Sequence, residues 1–104
     1  MRFVVYGAGA IGGTIGGRLY QAGHEVVLIC RGAHLDAIRG GGLLLRAPEG
    51  DFRLPIATAG HPREVAWRAG DVAILTMKTQ DTEAALRDLE AAAGDLRSIA
   101  GVPA

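Results

Sequence analysis

Cysteine is almost absent from this sequence: Cys30 stands alone among 104 residues. A lone thiol closes no internal disulfide, which fits a reducing compartment. Net charge is absent as well. Eleven Lys and Arg balance eleven Asp and Glu, so no global basic field exists to draw in nucleic acid. No apolar run approaches the ~18 residues that a membrane span needs. The start does not read as an export signal either. Met1-Arg2 runs straight into Phe3-Val4-Val5-Tyr6 and then glycine, too short an apolar run, with no small-residue cleavage site behind it. The expected protein is soluble and cytoplasmic, with neither nucleic acid nor membrane as a partner. His24, His34 and His61 lack metal-ligand spacing, so no metal site is expected. The remaining polar residues assemble no convincing acid–base pair, and no catalytic residue is assigned.

What the chain has in excess is glycine, 16 of 104 residues, about twice the usual ~7%. Hydrophobic residues at 49% and charged residues at 21% are near globular averages and argue against wholesale disorder. The length suits one domain with one core.

Hydrophobic periodicity predicts alternating strands and helices. Phe3–Tyr6 reads as a buried parallel strand closed by Gly7. Residues 10–22 switch to a helical period, with Ile11, Ile15 and Leu19 on one apolar stripe and Gly23 placed to cap the end. Gly16 and Gly17 inside that helix each cost about 1 kcal/mol against Ala, a cost offset where a backbone must approach a strand or ligand closely. Val26–Cys30 is a second buried strand. Arg31–Arg39 reads as a short helix, with Leu35 and Ile38 on one face and Gly40-Gly41-Gly42 breaking it. Leu43–Leu45 and Phe52–Ile56 flank Pro48-Glu49-Gly50-Asp51 as a hairpin-like pair, and Pro55 marks the second member as an edge or a short strand. Residues 57–70 are less clear, with a turn of helix near Arg63–Trp67. Val72–Met77 is a third buried strand. Residues 81–93 make the best helix, with Ala85, Leu86, Leu89 and Ala93 on one face, Asp81 or Thr79 able to cap it, and Glu83 and Arg87 paired on the solvent side. From Asp95 the period fades, although Ile99 is able to start another buried strand. The fold expected is α/β, a Rossmann-like doubly wound and mostly parallel sheet.

The densest signal is Gly7-Ala8-Gly9-Ala10-Ile11-Gly12, a G-x-G-x-x-G run. Chance produces that pattern often, but here it follows a strand and opens a helix, the context the chemistry needs. Gly7 lets the chain turn out of the strand, Gly9 lets a pyrophosphate approach bare backbone, and Gly12 lets helix and sheet pack closely. Free N–H groups in the helix's first turn and the helix dipole favour the phosphates' negative charge. The second strand ends in Cys30-Arg31-Gly32. An acid there would bind the ribose 2′-OH of NAD and repel a 2′-phosphate. Instead a guanidinium stands 19 residues beyond Gly12, able to hold a phosphate through paired charge-assisted hydrogen bonds. The expected cofactor is NADP(H). Lys78 follows the third strand at its carboxyl end, where open α/β sheets bind ligands, and is a candidate for contact with the cofactor or an anionic substrate. Cys30 reads as a buried strand-end residue, and Trp67 as a core or capping aromatic.

Several segments together resemble the ketopantoate reductase (2-dehydropantoate 2-reductase) family. They are Gly7–Gly13, Ala22-Gly23-His24-Glu25-Val26, Arg31-Gly32-Ala33-His34-Leu35, Gly42-Leu43, and Lys78-Thr79 through Asp81-Thr82. The likeness covers about residues 1–93. It implies NADPH-dependent reduction of a 2-keto acid to a 2-hydroxy acid, in pantothenate and hence coenzyme A synthesis. It implies that residues 7–12 hold the pyrophosphate, that Arg31 holds the 2′-phosphate, and that Lys78 lies near the nicotinamide end. Family members are much longer, and their all-helical C-terminal domain supplies a catalytic Lys and a substrate-binding acid. In the family an Asn in a Gln-Asn-Gly stretch follows the strand after the helix at 81–93. None of these has a counterpart here. The expectation is therefore residues 1–104 as an incomplete NADP-binding Rossmann domain, inefficient in catalysis by itself. The small-molecule 2-keto acid is the partner of the complete enzyme. An uncovered sheet edge is expected to favour self-association or marginal stability, which leaves a homo-oligomer open. Two other readings remain: the NADP-binding domain of another dehydrogenase with a helical C-terminal domain, and a non-catalytic NADP-binding module.

Overall fold

Short runs of β-branched and aliphatic residues pair side by side at the centre of the molecule. The computed structural model describes residues 2–7, 10–68, 70–77, 79–93 and 99–101. The chain runs β1 (Arg2–Tyr6), α1 (Ala10–Gln21), β2 (Glu25–Ile29), α2 (Gly32–Gly41), β3 (Leu43–Ala47), β4 (Gly50–Leu54), β5 (Ala57–Ala59), a 3₁₀ turn (Pro62–Glu64), β6 (Val72–Leu75), α3 (Thr79–Ala93) and β7 (Ile99–Gly101). Five strands form one sheet in the order β5-β2-β1-β6-β7, with every neighbouring pair parallel. β3 and β4 form a separate antiparallel hairpin. The doubly wound, mostly parallel architecture is the one the periodicity predicts.

Both faces of the sheet are covered, so after Arg2 and Glu25 the runs of β1, β2 and β6 are apolar without alternation. Val4, Tyr6, Val27, Ile29, Ala73 and Leu75 meet Ala85 and Leu89 of α3 on one face. Val5, Val26, Leu28 and Ile74 meet Ile38 of α2, with Ile15 and Leu19 of α1, on the other. The hairpin lies outside α1, and its Leu43 and Leu45 complete that second layer.

α1 differs from the expected apolar stripe. Ile11 is exposed, at 39%, and Ile15 and Leu19 are half-buried, whereas Gly12, Gly13, Gly16 and Gly17 are the buried positions. The reason is proximity. A Cβ at Gly16 would stand 2.6 Å from Leu28 Cδ2, and one at Gly17 would stand 3.1 Å from Leu45 Cδ1. The helix is sandwiched between sheet and hairpin at a distance only glycine permits, which explains the two interior glycines. The helix ends as expected. Gly23 sits at φ +93°, its N–H bonds the Tyr20 carbonyl, and the His24 N–H bonds the Leu19 carbonyl, a Schellman close.

Elsewhere α2 runs on through Gly40 and Gly41 before Gly42 turns it, at φ +82°. Pro55 follows the end of β4. The unclear stretch 57–70 holds edge strand β5, parallel to β2, and the 3₁₀ turn. Three residues of Ala-Thr-Ala carry too little hydrophobic pattern to announce a strand. β6 ends at Leu75, short of Met77, and Ile99 does begin a strand, with β7 pairing to β6. Residues 94–98 and 102–104 of the tail lie outside the described residues. Among the described residues, no helix is long and apolar enough to cross a membrane.

Candidate dinucleotide site

In sequence order the sheet grows from β1 through β2 to β5 on one side, then returns past β1 to β6 and β7 on the other. The reversal falls between β1 and β6, and in open α/β sheets a crevice for ligands opens there, outside the carboxyl ends of the strands. The residues at those ends are Tyr6, the last of β1, with Gly7, and Thr76-Met77 after β6. Arg31 stands just past β2, at the N-cap of α2.

Parallel pairing fixes this assembly. Tyr6 is in register with Ile29 and with Leu75, and the Gly7 N–H bonds the Ile29 carbonyl at 3.0 Å. Gly7, at φ +96°, turns the chain from β1 towards α1. Thr76 then locks the turn. Its N–H and its hydroxyl both reach the Tyr6 carbonyl, at 3.1 and 3.0 Å, and the same hydroxyl lies against the Gly7 carbonyl. Thr76 is buried. At Gly12 a Cβ would stand 2.7 Å from Thr76 Oγ1 and closer still to the Gly7 carbonyl oxygen. The first turn of α1 therefore rests directly on the β1–α1 turn, with no room for a side chain.

The predicted site residues fall into two groups. Gly7, Ile11, Gly12 and Arg31 sit at the carboxyl end of the sheet or the start of α1, and Ala10 begins that helix. Ala8, Gly9 and Lys78 lie outside the described residues. The expected Cys30 behaviour is borne out: it is buried, and burial pushes its thiol pKa up against the lowering effect of Arg39. A thiol held protonated is a poor nucleophile. Glu83 and Arg87 pair at 2.8 Å on the solvent face of α3. Trp67 packs on the core and donates Nε1–H to the Pro62 carbonyl. His24 meets Phe3 edge-on. His61 caps the 3₁₀ turn, its Nδ1 accepting from the Arg63 N–H. His34 lines a groove of about 330 Å³ beside Gly13 and Thr14.

Sequence reasoning passes over two features. Thr76 is one, although a hydroxyl residue directly after Val-Ala-Ile-Leu is a visible irregularity at a strand's end. The other is Tyr6, whose hydroxyl donates to Asp88 Oδ2 of α3 at 3.3 Å. Burial raises the Tyr6 pKa, Arg31 lowers it through a hydrogen bond and its charge, and Asp88 raises it. Nothing local to residue 6 announces a partner 82 positions away.

A parallel sheet reversing beside a glycine turn, with a helix N-terminus set against that turn, is a Rossmann-like α/β domain, an arrangement consistent with a nicotinamide cofactor. The chain belongs to the ketopantoate reductase PanE/ApbA family, whose model matches residues 3–100. A 2-dehydropantoate 2-reductase of Pyrococcus horikoshii is 40% identical over 83% of this chain and 27% of its own length. The crystal structure of a PanE/ApbA family ketopantoate reductase from Ralstonia eutropha superposes with a TM-score of 0.81 at 34% identity, covering 90% of this chain and 31% of that one. D-mandelate dehydrogenase, solved with NADH and anilino(oxo)acetate, gives 0.84 at 27% identity, over 99% and 33%. The chain spans about a third of the length of the curated relatives it matches.

Proposed function

We propose that this chain is the dinucleotide-binding part of an NADPH-dependent reductase that converts 2-dehydropantoate, a 2-keto acid, to pantoate, a step towards pantothenate and coenzyme A. The single observation that carries the cofactor choice is Arg31, an exposed guanidinium just past the end of β2 where an NAD-binding domain places an acid. The family match over residues 3–100 supports the reaction class.

The residues fit a dinucleotide. At Gly12 the volume of a Cβ is already occupied by Thr76 and Gly7, so the start of α1 keeps bare backbone beside the turn. The segment Gly7, Ala8, Gly9, Ala10, Ile11 and Gly12 would hold the pyrophosphate, through the N–H groups that follow Gly7 and the helix dipole, the Gly7 N–H itself being held by Ile29. Arg31 would hold the 2′-phosphate through paired hydrogen bonds, and Lys78 would lie near the nicotinamide end. When bound, NADPH supplies the hydride for the keto carbon. The chain's own part is to bind and orient. Residues 1–104 form the cofactor-binding unit in this proposal, and the groups that place the keto acid and protonate its oxygen belong to a further, helical part of the protein. A cytoplasmic location and association into homo-oligomers complete the proposal.

A second reading, an NADH-dependent dehydrogenase of another small acid, draws support from the likeness to the D-mandelate dehydrogenase complex with NADH. Arg31 stands against it. Titration of NADPH and NADH separates the two readings. Wild type is expected to bind NADPH at least about 10-fold more tightly, since a hydrogen-bonded charge pair contributes about 1.5–3 kcal/mol. Arg31→Ala is expected to lose that preference by weakening NADPH alone. Equal affinities in wild type would defeat the NADP(H) assignment.

A further inference from the structure

Arg is a flexible side chain, and an exposed one discriminates a phosphate best when something holds it in place beforehand. Three observations bear on what holds Arg31. First, its backbone is extended, at φ −133° and ψ 160°. It therefore continues the alternation of β2, in which Ile29 faces the α3 layer and Cys30 the opposite one. The Arg31 side chain leaves on the face of Ile29 and of its register partner Tyr6. Second, Tyr6 is fixed from both ends. Thr76 pins its carbonyl, and its hydroxyl donates to Asp88 Oδ2. Third, Asp88 is itself bracketed. His61 Nε2 faces the same Oδ2 at 3.9 Å, and because His61 Nδ1 accepts from Arg63, the neutral ring turns its Nε2–H towards Asp88.

A phenol has one proton to give. With that proton directed at Asp88, the oxygen keeps only lone pairs for any further partner, and Arg31 leaves the chain on the same face as the ring. The lowering influence of Arg31 on the Tyr6 pKa agrees with this placement.

We propose that Tyr6, anchored on Asp88, is a positioning residue that holds the Arg31 guanidinium beside the glycine turn and so sets the preference for a 2′-phosphorylated dinucleotide. The proposal rests on the reading that Arg31 receives that phosphate. It concerns an aromatic on β1 and a carboxylate on α3, neither of which is among the residues assigned above to the dinucleotide.

The test is a double-mutant cycle on the full chain, with dissociation constants for NADPH and NADH. Tyr6→Phe keeps the ring and its packing and removes only the oxygen. It is expected to weaken NADPH about 3- to 10-fold and to leave NADH within about twofold. Added to Arg31→Ala, it is expected to have no further effect on either cofactor. Asp88→Asn keeps an acceptor for the phenol and is expected to retain the preference, whereas Asp88→Ala is expected to reduce it. Thermal melting confirms that each variant is folded. An unchanged NADPH/NADH ratio in Tyr6→Phe, or an equal loss on both dinucleotides, overturns the proposal while leaving the cofactor assignment intact. A wild type without preference for NADPH overturns both, and is seen before any variant is compared.

Discussion

Gly12→Ala is expected to abolish measurable dinucleotide binding, a loss of at least about 100-fold, and to destabilise the fold by about 1–3 kcal/mol. The added methyl would stand 2.7 Å from Thr76 Oγ1, nearer still to the Gly7 carbonyl oxygen, and 3.0 Å from the Gly7 carbonyl carbon. Two of these three neighbours are backbone atoms, and no rotamer change moves them away. Either α1 slides off the sheet or the β1–α1 turn opens, and each displaces the amides proposed to receive the pyrophosphate. Gly16→Ala is the informative contrast. Its nearest obstacle, Leu28 Cδ2 at 2.6 Å, is the far end of a side chain. That variant is expected to lose stability but to bind within a few-fold of wild type once folded. Thr76→Ala is not expected to rescue Gly12→Ala, because the Gly7 carbonyl remains. Titration of the dinucleotides by intrinsic fluorescence, beside urea unfolding, separates the two effects. A Gly12→Ala protein with wild-type affinity would mean that the start of α1 takes no part in binding.

The largest effect on stability alone is expected from Asp71. Its carboxylate makes a two-point ion pair with Arg2, at 3.1 Å to Oδ1 and 2.6 Å to Oδ2, and accepts the Arg68 N–H at 2.9 Å. The Arg2 and Asp71 side chains are 8% and 3% exposed, and Arg2 also donates to the Ala66 carbonyl. Asp71→Ala leaves the guanidinium buried without its counter-charge, at a cost of about 3–5 kcal/mol. For a domain of this size that is a fall in Tm of 10 °C or more at about 4–8 °C per kcal/mol. The pair ties the amino end of β1 to the residue before β6, opposite the carboxyl ends where the site lies. Variants that remain folded are therefore expected to keep their dinucleotide affinity.

The pH dependence of that contribution has a definite sign. Burial pushes the Asp71 pKa up, but the hydrogen bonds from Arg2 and Arg68 and their charges outweigh it, and the folded value lies below the ordinary one. A carboxylate with a lowered folded pKa stabilises the fold fully above its unfolded pKa of about 3.9. That stabilisation fades as the pH falls through the folded value. Urea unfolding of wild type and Asp71→Asn is expected to show a large, constant gap between pH 5 and 7 that narrows below about pH 4. A gap that stayed constant down to pH 2 would show that the ion pair contributes nothing through its charge.

Much of the fold was legible because its signals are local. The aliphatic runs at 3–6, 26–30 and 72–77, the glycines at 7 and 23, and the turn residues at 48–51 each act through their own backbone preferences and nearest neighbours. β5 was not legible, since Ala57–Ala59 becomes a strand only because β2 offers it an open edge. Ile11 misled for a related reason. On a helix gripped from both sides the apolar stripe yields the buried face to glycine, and periodicity does not register how close the neighbours stand.

The sequence by itself determined that the sheet is parallel and doubly wound, and that a glycine turn joins β1 to a helix. It also placed a guanidinium, and no acid, after the second strand. These follow from residue type and spacing, which act over a turn or two of chain. Only the tertiary structure decided that Thr76 closes the glycine turn, that Asp71 neutralises Arg2, and that Asp88 accepts the Tyr6 hydroxyl proton. The partners in each of those contacts are about 70 residues or more apart in sequence. Contacts of that kind are set by strand order and by helix packing across the sheet, which exist only once the chain has folded.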